Sequence, residues 1–340
     1  WRAEFWHNGS LVWKQDLVDR GWYRFSQDYW IDMEVRIVRD EATEAAYTLT
    51  VDRRSDFGIQ IDSGSLGDTL SWMGQVIEFK EQTSCRQVWV RCHKPFLFDT
   101  ERYRTRGIFL VDWAQEWPLD YQGIGVYQRD GQNSPKDKHP RDWRTLPLGA
   151  IAADQLGIDY HETKPYMAKE FLKKKTFKKP TVCIATDSTA QAKYWNHPTG
   201  WQDLIDGLKT KGIDILYVSK EETSLKGVEH IPDLVEAAQA ISGAGYFIGI
   251  SSGLSWLAWA IGVRVCMISG FTWEFVEFDC DIRIINKSVC SGCWTWAVFD
   301  RGDWNWCPQW KGTDRHFECT KTITPTEVLN KIETKWFAGI

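Results

Sequence analysis

No run in this sequence approaches the roughly 20 continuous apolar residues that a membrane-spanning helix needs, so the chain is expected not to cross a bilayer. Positive charge is not in excess either. Lys and Arg number 41 against 46 Asp and Glu, a formal net charge of -5. A general binder of phosphate backbones needs a basic face, so nucleic acid is excluded as the main partner. Several enzyme signatures are missing as well. There is no H-E-x-x-H helix and no Walker A loop, and a Ser/His/Asp nucleophile arrangement finds no support, since the 7 histidines sit in polar or loop-like text. No short-period repeat occurs. The chain begins at Trp1, so a targeting segment ahead of it lies beyond what this sequence reads.

What is present is ordinary in bulk and unusual in detail. The length of 340 residues suits two or three domains of roughly 150 residues each. A content of 43% hydrophobic and 26% charged residues is that of a globular protein, neither disordered nor collagen-like. Cysteines number 9, an odd count in a long chain, which argues against a disulfide scaffold and for the cytosol. The 21 Trp bring large burial area with an N–H that seeks a partner, as packed interfaces and sugar- or base-stacking walls require.

Along the chain the grammar changes. Residues 1–55 read as short alternating segments rich in aromatic and β-branched residues: Glu4-Phe5-Trp6 and Leu11-Val12-Trp13 around Gly9-Ser10, then Trp22-Tyr23-Arg24-Phe25 and Met33 to Val38. This predicts a small antiparallel sheet. From Phe57 strands alternate with helices: strand Phe57–Ile61, helix Thr69–Phe79, strands Arg86–Cys92 and Gly107–Asp112, helix Pro147–Leu156. The second half repeats this more clearly, with apolar strands Thr181–Ala185, Ile213–Val218, Tyr246–Ile250 and Arg264–Ile268 and helices Gly200–Lys211, Asp233–Ile241 and Leu254–Ile261. Such alternation implies parallel sheets buried on both faces, hence two Rossmann-like lobes. Lys173 to Pro180 between them is read as a solvated linker rather than an anionic-surface site. The expected division is 1–55, 56–172, 173–324 and a final helix over 325–340.

Ligands in such folds sit beyond the carboxyl ends of the strands, and three groups of residues fall there or nearby. Gly64-Ser65-Leu66-Gly67-Asp68 joins a strand to a helix, and Asp68 is placed to act as a general base toward a hydroxyl. On the local pattern alone, helix capping by Asp68 is the stronger reading. The motif lacks the third glycine of a dinucleotide fingerprint. Ser251-Ser252-Gly253-Leu254-Ser255 is the matching turn of the second lobe, a seat for a pyrophosphate or equally a plain turn with serine caps. The stretch from Thr186 to Trp195 supplies Lys193, an ammonium able to neutralise a leaving diphosphate. Finally Cys290 and Cys293, in C-x2-C spacing, are followed by Cys307 and Cys319. Four thiolates would make a closed, structural zinc or iron site, with His316 as a spare ligand. Cys85, Cys92, Cys183, Cys266 and Cys280 read as small buried hydrophobes.

Together these residues resemble a known family. The two turns resemble those of the glycosyltransferase family 9 heptosyltransferases. The stretches Val182 to Asn196 and Gly253 to Ala260, with the four late cysteines, look like the bacterial autotransporter heptosyltransferases. The resemblance runs from about Phe57 to the end and implies an α/β fold of GT-B type, the acceptor handled by the first lobe and ADP-heptose by the second. It implies inverting, metal-independent transfer of heptose to serine hydroxyls of an autotransporter passenger in the cytoplasm. Asp68 would be the base, Lys193 would contact the donor phosphates, and Ser252, Gly253 and Leu254 would seat the diphosphate, with Thr186 and Ser255 beside them. Cys290, Cys293, Cys307 and Cys319 would hold structural iron, as Fe3+, with zinc as the alternative. The family also implies a homo-oligomer such as a large ring, which the N-terminal β region would serve. Lipopolysaccharide heptosyltransferases carry an acidic residue and a histidine where this chain has Ser251 and Trp256, which fits the autotransporter branch. The competing readings are transfer to a lipopolysaccharide-type sugar, or a non-catalytic scaffold built on the Trp- and Cys-rich region.

Overall fold

The computed structural model describes residues 1–21, 28–52, 54–113, 121–129 and 132–337. The N-terminal region is an antiparallel sheet of β1 (Arg2–His7), β2 (Ser10–Asp16), β3 (Met33–Arg39) and β4 (Ala42–Leu49), in the order β2-β1-β3-β4. The β1–β2 hairpin turns on Asn8 and Gly9, both at positive φ, the backbone that matches the twist of paired strands. One face of this sheet packs Val12, Tyr29, Ile31 and Met33 with Phe5. The strand expected at Trp22 to Phe25 lies outside the described residues.

The chain divides into two compact units. One comprises Trp1–Gly64, Ser71–Pro95 and Thr100–Thr163; the other comprises Ser65–Leu70, Phe96–Asp99 and Lys164–Ile340. In the first, β5 (Phe57–Ile61), β6 (Val88–Cys92), β7 (Ile108–Asp112) and β8 (Tyr121–Ile124) form a parallel sheet in the order β7-β6-β5-β8. The helix Leu66–Gln82 connects β5 to β6 and buries Leu70, Trp72, Met73, Val76 and Phe79. Trp72 secures it by donating its indole N–H to the Leu148 carbonyl at 2.8 Å.

The second unit holds a wider parallel sheet. Its strands are β9 (Thr181–Ile184), β10 (Asp214–Val218), β11 (Glu229–Ile231), β12 (Tyr246–Ile250), β13 (Arg264–Ile268) and β14 (Ile282–Ile284), in the order β11-β10-β9-β12-β13-β14. The central strands are buried and almost wholly apolar beyond their first residues, Thr181, Asp214 and Arg264 among them, because both faces are covered, chiefly by the helices Gly200–Thr210, Leu234–Ala244 and Gly253–Ile261. The chain runs outward from β9 to one side through β10 and β11, then returns to the other side of β9 as β12. The order therefore reverses between β9 and β12, which makes their carboxyl ends a topological switch point, the place where open α/β sheets take ligands.

The basic stretch after Leu172 is exposed in its side chains, but its backbone is tied down: the N–H of Lys175 donates to the Gln239 carbonyl at 3.0 Å. At the other end, the helix Pro325–Trp336 starts on Thr324, whose hydroxyl accepts from the Glu327 N–H at 3.2 Å. Its Val328, Ile332 and Trp336 join Leu204 and Leu208 in the core. No helix among the described residues is long and apolar enough to cross a membrane.

Candidate functional site

The switch point is built first by β12 and the turn that leaves it. Ser251 and Ser252 follow the strand, and the helix Gly253–Ile261 begins at once. Ser252 occupies the N-cap with extended backbone, φ -146 and ψ 168, yet its side chain makes no cap bond. Its Oγ is buried and has no hydrogen-bond partner. The first turn of this helix also lacks an acidic residue. A helix start with open N–H groups, an idle hydroxyl and no carboxylate favours an anion. Ser255 behaves differently: fully buried, it donates its hydroxyl to the Ile250 carbonyl at 2.6 Å and so fastens helix to strand.

The segment Ser65–Leu70 belongs to the same unit and meets this turn. A Cβ on Gly67 would lie 2.8 Å from Cδ1 of Trp256, and one on Gly253 would lie 2.8 Å from Cβ of Leu66. The first turns of the two helices thus approach through glycines because any larger residue would collide. Asp68 is not the N-cap that the local pattern favours. Ser65 takes that role, its Oγ accepting from the Asp68 N–H at 3.3 Å, while Thr69 donates its hydroxyl to the Ser65 carbonyl at 2.7 Å. The Asp68 carboxylate sits in the first helical turn, partly exposed.

Beyond β9, Thr186 donates its hydroxyl to Asp187 Oδ1 at 3.2 Å, and Asp187 Oδ2 accepts from Tyr217 and Ser219. Lys193 ends a short 3-10 turn, Gln191–Lys193, and its Nζ lies 5.6 Å from the centre of the Phe271 ring. Burial pushes this ammonium below its ordinary range; Asp68 and then Glu277 pull it back up, and Arg301 pushes it down. Asp68 is therefore the strongest charge that Lys193 feels. The turn is held by Asn196, whose amide donates to the carbonyls of Gln191 and Tyr194 at 3.1 and 2.9 Å. The structure thus brings Asp68, Lys193, Ser252 and Gly253 into one neighbourhood, with Thr186 on the adjoining strand end and Ser255 turned into the core.

Sequence reasoning passed over Glu277. It is buried behind the turn and accepts a hydrogen bond from Ser251 Oγ at 2.5 Å. Nothing in its local text marks it, because its partners come from distant segments.

The late cysteines form a separate cluster. All nine cysteines are free thiols. Burial raises the Cys290, Cys293 and Cys319 thiols, Cys319 to about 12, and each is raised further by the charge of other members of the set Cys290, Cys293, Cys307 and Cys319. A cation is what would let thiols that oppose one another's ionisation ionise jointly. That donor set fits a tetrathiolate ion. Among the described residues, however, no group of three or more His, Cys, Asp or Glu side chains is drawn together into a finished metal cradle. The surroundings are aromatic: Phe271, Trp306 and Phe317 are buried with Cys293, while the Cys290 thiol donates to Gln309 Oε1 at 3.1 Å. His316 lies apart in role, its Nε2 bonded to the Asn305 carbonyl at 3.3 Å.

Residues 143–274 match the model of glycosyltransferase family 9 (heptosyltransferase). Over 348 residues the chain is 32% identical to the autotransporter heptosyltransferase BAHTCr of Citrobacter rodentium, covering 94% of this chain and 81% of that protein. It is also 32% identical to the autotransporter heptosyltransferase TibC of Escherichia coli over 335 residues, covering 93% and 81%. The crystal structure of TibC, an iron-containing dodecameric glycosyltransferase, superposes with a TM-score of 0.78 at 30% identity, covering 98% of this chain and 91% of that one. A second TibC structure holds ADP-D-β-D-heptose. BimC of Burkholderia thailandensis, named an inactive autotransporter heptosyltransferase, is 30% identical over 290 residues, covering 81% of this chain and 68% of that protein.

Proposed function

Because the chain belongs to the autotransporter heptosyltransferases of glycosyltransferase family 9 and has their GT-B type fold of two Rossmann-like lobes, we propose that it transfers heptose from ADP-heptose to serine hydroxyls of an autotransporter passenger. The observation that carries this reading is the pairing at the switch point of an uncapped helix start with an acid-bearing one. The first half of the chain handles the acceptor and the second the nucleotide sugar.

In this reading the donor diphosphate rests on the backbone N–H groups at Gly253 and Leu254, and the idle Ser252 hydroxyl completes its hydrogen bonds. Thr186 and Ser255 support the seat from β9 and from inside the helix. Lys193 faces the phosphates as a protonated ammonium. Asp68 accepts the proton of the acceptor hydroxyl as its oxygen bonds to the anomeric carbon from the side opposite the diphosphate. The bond from that carbon to the diphosphate breaks with its electron pair on the leaving oxygen, so configuration inverts and ADP departs. Lys193 and the helix start stabilise the charge that develops there. The activated donor already carries its leaving group, so these residues need supply only a base and an anion site.

Cys290, Cys293, Cys307 and Cys319 would hold iron, with zinc as the alternative, since a tetrathiolate accepts either. Four protein ligands close the coordination shell, so the ion would brace the loops around it rather than take part in transfer. Free thiols throughout suit a reducing compartment, and we assign the reaction to the cytoplasm, on a homo-oligomer of ring form. The test is incubation of the purified protein with ADP-heptose and a serine-rich passenger fragment. The expected result is a heptose mass increment on the fragment with release of ADP, and metal analysis of protein grown without added zinc should return iron. A fragment of unchanged mass beside a modified glycolipid would move the acceptor to lipopolysaccharide. No transfer by metal-loaded protein would put the chain with its inactive relative or with a scaffold role.

A further inference from the structure

We infer that Glu277 is a positioning residue for the nucleotide-sugar donor, acting through the Ser251 hydroxyl on the turn Ser251–Gly253. The inference rests on the proposed donor site and adds to it a group that touches no substrate.

Glu277 lies in the loop between β13 and β14, with its side chain 3% exposed. Both carboxylate oxygens are fully engaged. Oε1 accepts from Ser251 Oγ at 2.5 Å and from Thr272 Oγ1 at 2.6 Å, and Oε2 accepts from Arg283 at 3.0 Å. The partners are fixed in turn. Thr272 shares a hydrogen bond with Ser269 at 2.9 Å, and Arg283 also donates to the Phe278 carbonyl at 3.2 Å. Ser251 immediately precedes the N-cap Ser252, so the bond from its hydroxyl sets how the backbone enters the helix.

A buried ion pair is weak evidence for stability, because well-packed apolar residues of similar volume often serve as well or better. A role in placement explains this one better. The carboxylate needed to grip Ser251 would repel an anion at the neighbouring helix start if it stood alone. Arg283 cancels that charge on the side away from the turn, so the hydroxyl is held while the anion seat stays receptive. The remaining field of Glu277 reaches Lys193, where after Asp68 it is the next charge that opposes the effect of burial on the ammonium. One buried carboxylate thus serves both halves of the proposed phosphate site.

Calorimetric titration of the whole chain with ADP tests this. The parent should bind ADP. Ser251→Ala removes only the link and leaves the Glu277–Arg283 pair intact. It should weaken ADP binding about tenfold and lower the melting midpoint less than Glu277→Gln does, since Glu277 keeps Thr272 and Arg283. In turnover it should raise KM for the donor more than it lowers kcat, and Ser251→Thr should recover most of the loss. Glu277→Gln leaves Arg283 unpaired, so its melting midpoint should fall. The double variant, titrated in the cold where it is folded, should bind ADP no more weakly than Glu277→Gln alone. If the parent binds ADP and Ser251→Ala binds it within about twofold, or if the two losses add, the positioning role is wrong while the donor site stands. If the folded parent fails to bind ADP, the donor site and this inference fall together.

Discussion

Two turns in this molecule share one grammar and end differently. Ser65-Leu66-Gly67-Asp68 and Ser252-Gly253-Leu254-Ser255 each open a helix with a serine ahead of a glycine, and each glycine faces a residue of the other turn. In the first, the serine caps the helix and an aspartate occupies the first turn, so the positive end of the helix is already answered by a carboxylate. In the second, the serine caps nothing, no acid follows, and the Glu277 carboxylate is held behind Ser251 and paired with Arg283. Similar local sequences therefore yield opposite electrostatics. A helix start that is satisfied can carry a base; one left open can receive an anion.

Asp68→Asn tests the first half of that contrast most severely. It preserves shape and removes the proton acceptor, so kcat for transfer should drop by about 10²–10⁴-fold, the range of a lost general base, while calorimetry finds ADP affinity nearly unchanged. A variant that turns over like the parent would remove the base from the scheme. Lys193→Met sharpens the other half. It keeps the buried stem and its packing near Phe271 but deletes the charge, and steady-state kinetics should show a loss of about 10²-fold in kcat. Because burial already opposes the charged form of Lys193, its melting midpoint should not fall with the substitution, and a large drop would mark the ammonium as structural instead.

The contrast also measures how far the sequence can be read. The central strands of both parallel sheets were legible because burial on two faces demands continuous apolar runs such as Phe247-Ile248-Gly249-Ile250. The strands not singled out, β4, β8, β11 and β14, all lie at sheet edges. Glu229–Ile231 and Ile282–Ile284 have three residues each, too few for any periodicity, and owe their strand character to the neighbour they pair with. The same limit applies at the site. Both turns stood out by composition, yet the local pattern made Asp68 the cap, since aspartate and serine are equally good caps and only geometry selects Ser65. Glu277 was out of reach altogether: Ser251, Thr272 and Arg283 converge on it only because β12, β13 and β14 lie side by side.

Gly253→Ala probes the close approach itself. The added methyl would sit 2.8 Å from the Leu66 Cβ, which is anchored to a helix backbone and cannot swing aside as a flexible chain end would. Overpacking of this kind costs about 1–3 kcal/mol, and denaturant titration should find a loss in that range together with weaker ADP binding as the two helix starts are forced apart. An unperturbed variant would show that the two turns are not packed against each other in solution.

The smallest effect discriminates best. Ser65→Ala deletes a working cap, so denaturant titration should report a loss of about 0.5–2 kcal/mol. Ser252→Ala deletes a hydroxyl with the same sequence position relative to its helix, but that hydroxyl has no bond to lose in the ligand-free protein. A buried polar atom without a partner is itself unfavourable, so its removal should leave stability unchanged or slightly raised. The cost should appear only with ligand: ADP binding should weaken several-fold in Ser252→Ala and stay level in Ser65→Ala. If both serines prove equally important for stability, Ser252 is a second ordinary cap, the asymmetry between the turns disappears, and with it the reason to seat the diphosphate at one helix rather than the other.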